Sequence, residues 1–197
     1  MSEPFVQLPF AQIPETPRLA HSYFTTRADE VCVTTPHFGT VKTHVRIHGQ
    51  GPPLLLVHGL MTTSYSWRYV LEPLGKNHTV YAPDLVGAGR STMAETTYPP
   101  TAVAEFLGAL LDALGIRGCA AIGNSLGGYL CMQLALRQPS AFSRLVNLHS
   151  PGVPTGRMWA LHYALSALPF AERILRALIL KDPERWVHKN VHYYDES

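Results

Sequence analysis

The stretch Ala120-Ala121-Ile122-Gly123-Asn124-Ser125-Leu126-Gly127-Gly128-Tyr129 decides how this chain is read. The apolar run from Cys119 to Ile122 reads as the end of a buried strand. Gly-x-Ser-x-Gly follows, at Gly123, Ser125 and Gly127. Next comes a helical pattern, with Leu130, Leu134, Ala135 and Phe142 on one side. A sharp turn between strand and helix holds the serine in a strained backbone conformation, with its hydroxyl pointing out of the sheet. Gly123 and Gly127 lack side chains, so strand and helix can pass close beside it. The helix aims its free amides, and the positive end of its dipole, at the same spot. The plainer alternative is a tight turn carrying an exposed serine without chemistry, since a bare Gly-x-Ser-x-Gly often arises by chance.

Upstream, Pro53 to Val57 is fully apolar and reads as a strand of the parallel type. His58-Gly59-Leu60 follows it directly, ending in a helix start at Ser64-Tyr65-Ser66-Trp67. His78 to Pro83 is the next strand, and Asp84-Leu85-Val86-Gly87-Ala88-Gly89-Arg90-Ser91 comes after it. A Gly-x-Gly can mark a phosphate loop, but no helix opens on this one and the third glycine is missing. A dinucleotide-binding domain is rejected on the same ground.

These three motifs, in this order and spacing, resemble those of the α/β-hydrolase family over about residues 28–155. The closest likeness is to its serine-nucleophile, lid-containing, esterase- and lipase-like branch. The resemblance implies that Ser125 is the nucleophile and that the backbone N–H groups of Leu60 and Leu126 form the oxyanion hole. It makes His58 and Gly59 structural; the alternative role for His58 is the catalytic base. It makes Asp84 a loop-bracing carboxylate and Gly123 and Gly127 close-approach positions. No cofactor and no metal are implied. The family uses aspartate at the nucleophile position for haloalkanes and epoxides, so Ser125 points instead to a small-molecule carbonyl substrate: an ester, amide, thioester or a carbon–carbon bond beside a carbonyl.

The remaining chain fits an α/β fold, a mostly parallel sheet with helices on both faces. Glu30–Thr35 and Thr40–Ile47 read as a hairpin turning at Gly39. Ser66 to Gly75 reads as a helix with Trp67, Val70, Leu71 and Leu74 inward. Pro100 to Leu114 is amphipathic, with Val103, Phe106, Leu107, Leu110, Leu111 and Leu114 as its stripe and Gly115 as its stop. Gly127 to Gln138 is the helix behind the serine, and Arg144 to His149 one more strand.

Three regions are expected: a proline-rich arm over 1–26, the hydrolase core over 27–153, and the beginning of a helical lid over 154–197. The arm carries Pro4, Pro9, Pro14 and Pro17, too many for regular structure, and packs either on a partner or on the domain itself. Only 47 residues follow Ser150 (197 − 150), and two further strand–helix–strand units of about 30 residues or more do not fit. They read as helices over Thr155–Leu168, Phe170–Leu180 and Pro183–His192, so the last strands, with the triad acid and histidine, are expected to be missing. Substitutes are Asp182 and Asp195 as acid, and His149, His162, His188 and His192 as base, His149 being best placed at a strand end. Such a chain is either a serine hydrolase or a non-catalytic binding module or fragment, with self-association possible through the exposed sheet edge.

Composition bounds the partners. Apolar residues make up 46% of the 197, enough for a core, and the formal charge is only +2. No basic patch suggests nucleic acid. No apolar segment reaches the length of a membrane span, and Met1-Ser2-Glu3-Pro4 lacks a signal-peptide pattern. The three cysteines, Cys32, Cys119 and Cys131, are odd in number and lack metal spacing, which suggests reduced packing thiols and a cytoplasmic location.

Overall fold

The computed structural model describes residues 19–150, together with 156, 159, 160, 163, 170–183 and 185. Two compact units are present, one of them His21–Gly152. In that unit six strands form one sheet, and four helices are described in all. The strands are β1 (Arg27–Thr35), β2 (Gly39–His48), β3 (Pro53–Val57), β4 (Thr79–Pro83), β5 (Cys119–Asn124) and β6 (Phe142–Leu148). The helices are α1 (Leu71–Gly75), α2 (Pro100–Leu114), α3 (Leu126–Arg137) and, in the other unit, α4 (Ala171–Lys181).

The strand order is β1-β2-β4-β3-β5-β6. The β1–β2 hairpin and the β2–β4 pair are antiparallel; β4, β3, β5 and β6 run parallel. Gly39 turns the hairpin at φ +64°, where an L side chain is strained. Successive residues of a strand face opposite sides, and the core follows that rule. Leu55, Val57 and Ala121 pack with α2 and α3 through Phe106, Leu107 and Leu134. Leu54, Leu56, Val80 and Ala82 face the other way, onto Trp67 and Leu71. Helices thus cover both faces of a mostly parallel sheet, as the alternation of apolar strands and helices predicts.

Helix α2 has the bounds that the sequence indicates, and Gly115 ends it at φ 66°. The helix expected from Ser66 to Gly75 is instead a 3-10 turn at Ser64–Trp67 followed by the short α1. Pro73 explains the break: it has no N–H to continue a helix through residue 69. In consequence Val70 is exposed rather than inward. Phe142 starts β6 and does not belong to the α3 face. Helix α3 begins one residue earlier than expected, at Leu126, directly after Ser125.

The arm is described from Leu19 onward, and from His21 it packs on the domain itself. Tyr23 is buried, its hydroxyl shares a hydrogen bond of 2.6 Å with Ser64 Oγ, and the Arg46 guanidinium lies 4.6 Å over its ring. Of the expected C-terminal helices, α4 matches the middle one; most of the other two lies outside the described residues. Among the described residues no helix is long and apolar enough to cross a membrane.

Leu107 is fully buried between sheet and helix, whereas Leu136 on α3 is 79% exposed. Leu107→Ala should lower the unfolding free energy by about 2–5 kcal/mol, and Leu136→Ala should change it by no more than about 0.5 kcal/mol. Urea denaturation followed by circular dichroism measures both.

Candidate active site

Ser125 joins β5 to α3 with φ 51° and ψ −115°, a conformation that a residue with a side chain rarely adopts. Two backbone hydrogen bonds hold it there. Its N–H donates to the Leu148 carbonyl at 2.7 Å, and its carbonyl accepts from Tyr129 N–H at 3.0 Å, opening the α3 ladder. The glycines permit the crossing. A Cβ at Gly123 would lie 2.5 Å from Gly128 Cα, and one at Gly127 would collide with the carbonyl oxygen of Val57. The serine therefore sits at the positive end of α3, as the sequence expects.

The loop after β3 lies against it: a Cβ on Gly59 would be 3.4 Å from Ser125 Cβ. The orientation of this loop is built from the Gly59–Leu60 peptide. The Gly59 carbonyl accepts from His58 Nδ1 at 2.8 Å and from Thr62 Oγ1 at 3.0 Å. A trans peptide is planar, so fixing its C=O fixes the Leu60 N–H in the opposite direction. Thr62 is a contributor that the sequence reading missed; an i+3 hydroxyl bonding back to a loop carbonyl is a recognisable local pattern.

His58 is buried, and its second nitrogen, Nε2, accepts from Leu85 N–H at 2.9 Å. Both ring nitrogens are thus occupied by backbone, which leaves neither to take a proton from Ser125. Burial pushes the imidazole below its ordinary value, and the neutral Nδ1–H tautomer is the one that satisfies both bonds.

Asp84 is buried and ties two loops together. Its Oδ1 accepts from Ser64 N–H at 2.7 Å and its Oδ2 from Arg90 N–H at 2.9 Å. Ser91 Oγ donates to the Asp84 carbonyl at 2.7 Å and accepts from His44 N–H at 3.0 Å. Gly87 and Gly89 turn this loop at φ +77° and +54°, and a Cβ on Gly89 would collide with the Asp84 carboxylate.

A cavity of about 540 Å³ opens where these loops meet. Leu60 and Leu126, the two expected oxyanion residues, both line it. Leu85, Met93, Tyr98, Val103 and Leu130 complete much of its wall; they lie far apart in the chain, so no spacing marks them as one surface.

The base and acid are a different matter. Among the described residues no side chain is hydrogen-bonded to Ser125. His149 is exposed, has φ 52° and follows Leu148, the residue whose carbonyl holds Ser125 N–H. Asp182 Oδ1 accepts from Arg185 N–H at 3.0 Å. His162, His188, His192 and Asp195 lie outside the described residues. Cys119 and Cys131 are buried packing thiols, pushed up by burial to about 11 and about 12.

Comparison with known proteins gives a consistent picture. Residues 52–192 match the family described as alpha/beta hydrolase fold. An uncharacterised protein of Mycobacterium tuberculosis (strain ATCC 25618 / H37Rv) is 34% identical over 154 residues, 77% of this chain and 45% of that protein. The 2-hydroxymuconate semialdehyde hydrolase of Pseudomonas sp. (strain CF600) is 36% identical over 117 residues, 57% of this chain and 41% of that enzyme. Among solved structures, the epoxide hydrolase CorEH is similar at 26% identity and a TM-score of 0.68, over 82% of this chain and 58% of that one. The chain thus spans less than half the length of these two curated relatives.

Two outcomes follow from the bracing. Asp84→Ala leaves the buried Ser64 N–H and the part-buried Arg90 N–H without their acceptor and should cost about 1–3 kcal/mol in urea denaturation; a loss below about 1 kcal/mol would show that water replaces the carboxylate. For His58, the folded imidazole titrates below its ordinary 6.5, so the unfolded chain binds more protons as pH falls. Its contribution is complete above about pH 6.5 and is lost below it. Stability measured at pH 7.5 and 5.5 should fall more steeply in the wild type than in His58→Gln. His44, also lowered by burial, is common to both, so equal slopes would contradict the assignment.

Proposed function

Because the chain belongs to the α/β-hydrolase fold family, we propose that Ser125 is the nucleophile of an acyl-transferring hydrolase. The observation that supports this most directly is the serine at φ 51°, at the head of α3, with Gly59 against its Cβ. A serine pushed out of a tight bend beside two main-chain donors suits attack on a carbonyl, where negative charge must be received on oxygen.

In this reading Ser125 Oγ attacks the carbonyl carbon and its proton passes to a base. The oxyanion is held by the N–H groups of Leu60 and Leu126. Collapse expels the leaving group and leaves an ester on Ser125, which water then hydrolyses. Ser125 also argues against epoxide opening, despite the likeness to CorEH. A carboxylate nucleophile would leave an ester that water can cleave, whereas serine would leave an ether that it cannot. The substrate is then an ester, amide, thioester or ketone-flanked carbon–carbon bond. Three cysteines without disulfides support a reducing, cytoplasmic location.

A second reading has its own support. With no base hydrogen-bonded to Ser125 among the described residues, this chain alone would keep the cavity without turnover and act as a binding module. A fluorophosphonate probe separates the two. Acyl transfer predicts labelling that disappears in Ser125→Ala while the melting curve stays cooperative. No labelling of well-folded wild type, or equal labelling of both proteins, sinks the nucleophile assignment. Thr62→Val, which removes one of the two bonds on the Gly59 carbonyl, should slow labelling by up to about tenfold if Leu60 N–H is an oxyanion donor.

A further inference from the structure

The cavity beside Ser125 has a chemical character of its own. Among the described residues, no Asp, Glu, Lys or Arg lines it. Its inner wall is made by Leu130 and Val103, both buried, and its exposed rim by Leu60, Met61 and Met93.

The polar side chains that do line it are neutral and are bonded to backbone. Thr62 Oγ1 donates to the Gly59 carbonyl, and Thr63 Oγ1 accepts from Tyr65 N–H at 3.2 Å. Tyr98 closes a loop on itself: its hydroxyl accepts from Ala94 N–H and donates to the Ala94 carbonyl, both at 2.8 Å. The Tyr98 ring packs against Gly87, where a Cβ would lie 2.7 Å from Tyr98 Cε1. The phenol's O–H is thus already donated to the Ala94 carbonyl. His58 has both nitrogens bonded to backbone. The buried Asp84 carboxylate, which lies against Gly89 on the cavity wall, is of the wrong sign for an anion.

We infer that this cavity takes the uncharged, apolar part of the substrate and excludes an acyl chain that ends in a carboxylate. The inference rests on the acyl-transfer reading only for which end of the substrate enters. An ionised carboxylate there would lose its water and, among the described residues, find no side-chain cation in return. An aliphatic chain or ring loses nothing and removes apolar wall from water. The volume, about 540 Å³, is within the usual range for a small organic ligand.

The test uses the full chain carrying Ser125→Ala, so that no ligand turns over. Methyl hexanoate and methyl hydrogen adipate share the methyl ester and the carbon chain and differ in the far end, a methyl against a carboxylate. Titration by protein-observed NMR at pH 7.5 should show methyl hexanoate binding at least about tenfold more tightly, with shifts at Leu60, Met93 and Leu126. Met93 is 72% exposed, so Met93→Lys tolerates the change in place. It should narrow or reverse the preference by giving the carboxylate a partner. Equal or tighter binding of the adipate monoester by the Met93-containing chain overturns the inference, as does the absence of binding by either ester. The fluorophosphonate result is independent. Selectivity without labelling would leave the cavity assignment standing and remove acyl transfer; labelling without selectivity would do the reverse.

Discussion

The passage of helix α3 beside strands β5 and β3 is the constraint on which this site depends. Backbone meets backbone there with no room for a methyl group at Gly123 or Gly127. The chain can make that crossing only by bending sharply at residue 125, and the bend puts a non-glycine residue at φ 51°. Such strain costs on the order of 1–3 kcal/mol. It is held by the β5–β6 pairing, through the bond from Ser125 N–H to Leu148, and by the first turn of α3. The geometry of the serine is therefore set by the sheet and not by its own preference.

Around that bend, two buried polar side chains do the work of positioning loops. His58 joins the β3 loop to Leu85, and Asp84 joins the residues after that loop to Arg90. Each spends its hydrogen-bonding capacity on backbone groups. Buried polar atoms that are fully satisfied rigidify a site, whereas a missing partner is costly. Histidine and aspartate beside a serine invite a reading as catalytic machinery. Here His58, with Thr62, instead holds the Gly59 carbonyl and so, through the planar Gly59–Leu60 peptide, fixes where the Leu60 amide points, while Asp84 braces the loops behind it. The same economy of polar groups leaves the cavity wall apolar and neutral.

Much of this was legible in the sequence. The alternation of short apolar strands with amphipathic helices, and the Gly-x-Ser-x-Gly between β5 and α3, indicate the α/β architecture and the place of Ser125. These are local signals: periodicity, close-approach glycines and helix stops such as Gly115 act over a few residues. The errors have equally local causes. Periodicity suggested one helix from Ser66 to Gly75, but Pro73 cannot donate its part of the ladder, so Val70 lies outside. Phe142 fitted a helical face by spacing and lies in β6 because Pro139 had already ended the pattern.

What the residues determined by themselves is the order of strands and helices and the presence of a serine at the bend. Backbone propensity and side-chain chemistry carry those, and neither needs a distant partner. What only the tertiary structure decided is the bonding of His58 and Asp84, the role of Thr62, and the neutral wall assembled from Met93, Tyr98, Val103 and Leu130. Those features join groups far apart in the chain, or depend on which of several acceptors a side chain reaches. Spacing along the chain does not encode either, because it is the packing of the sheet and its helices that brings such groups within hydrogen-bond distance.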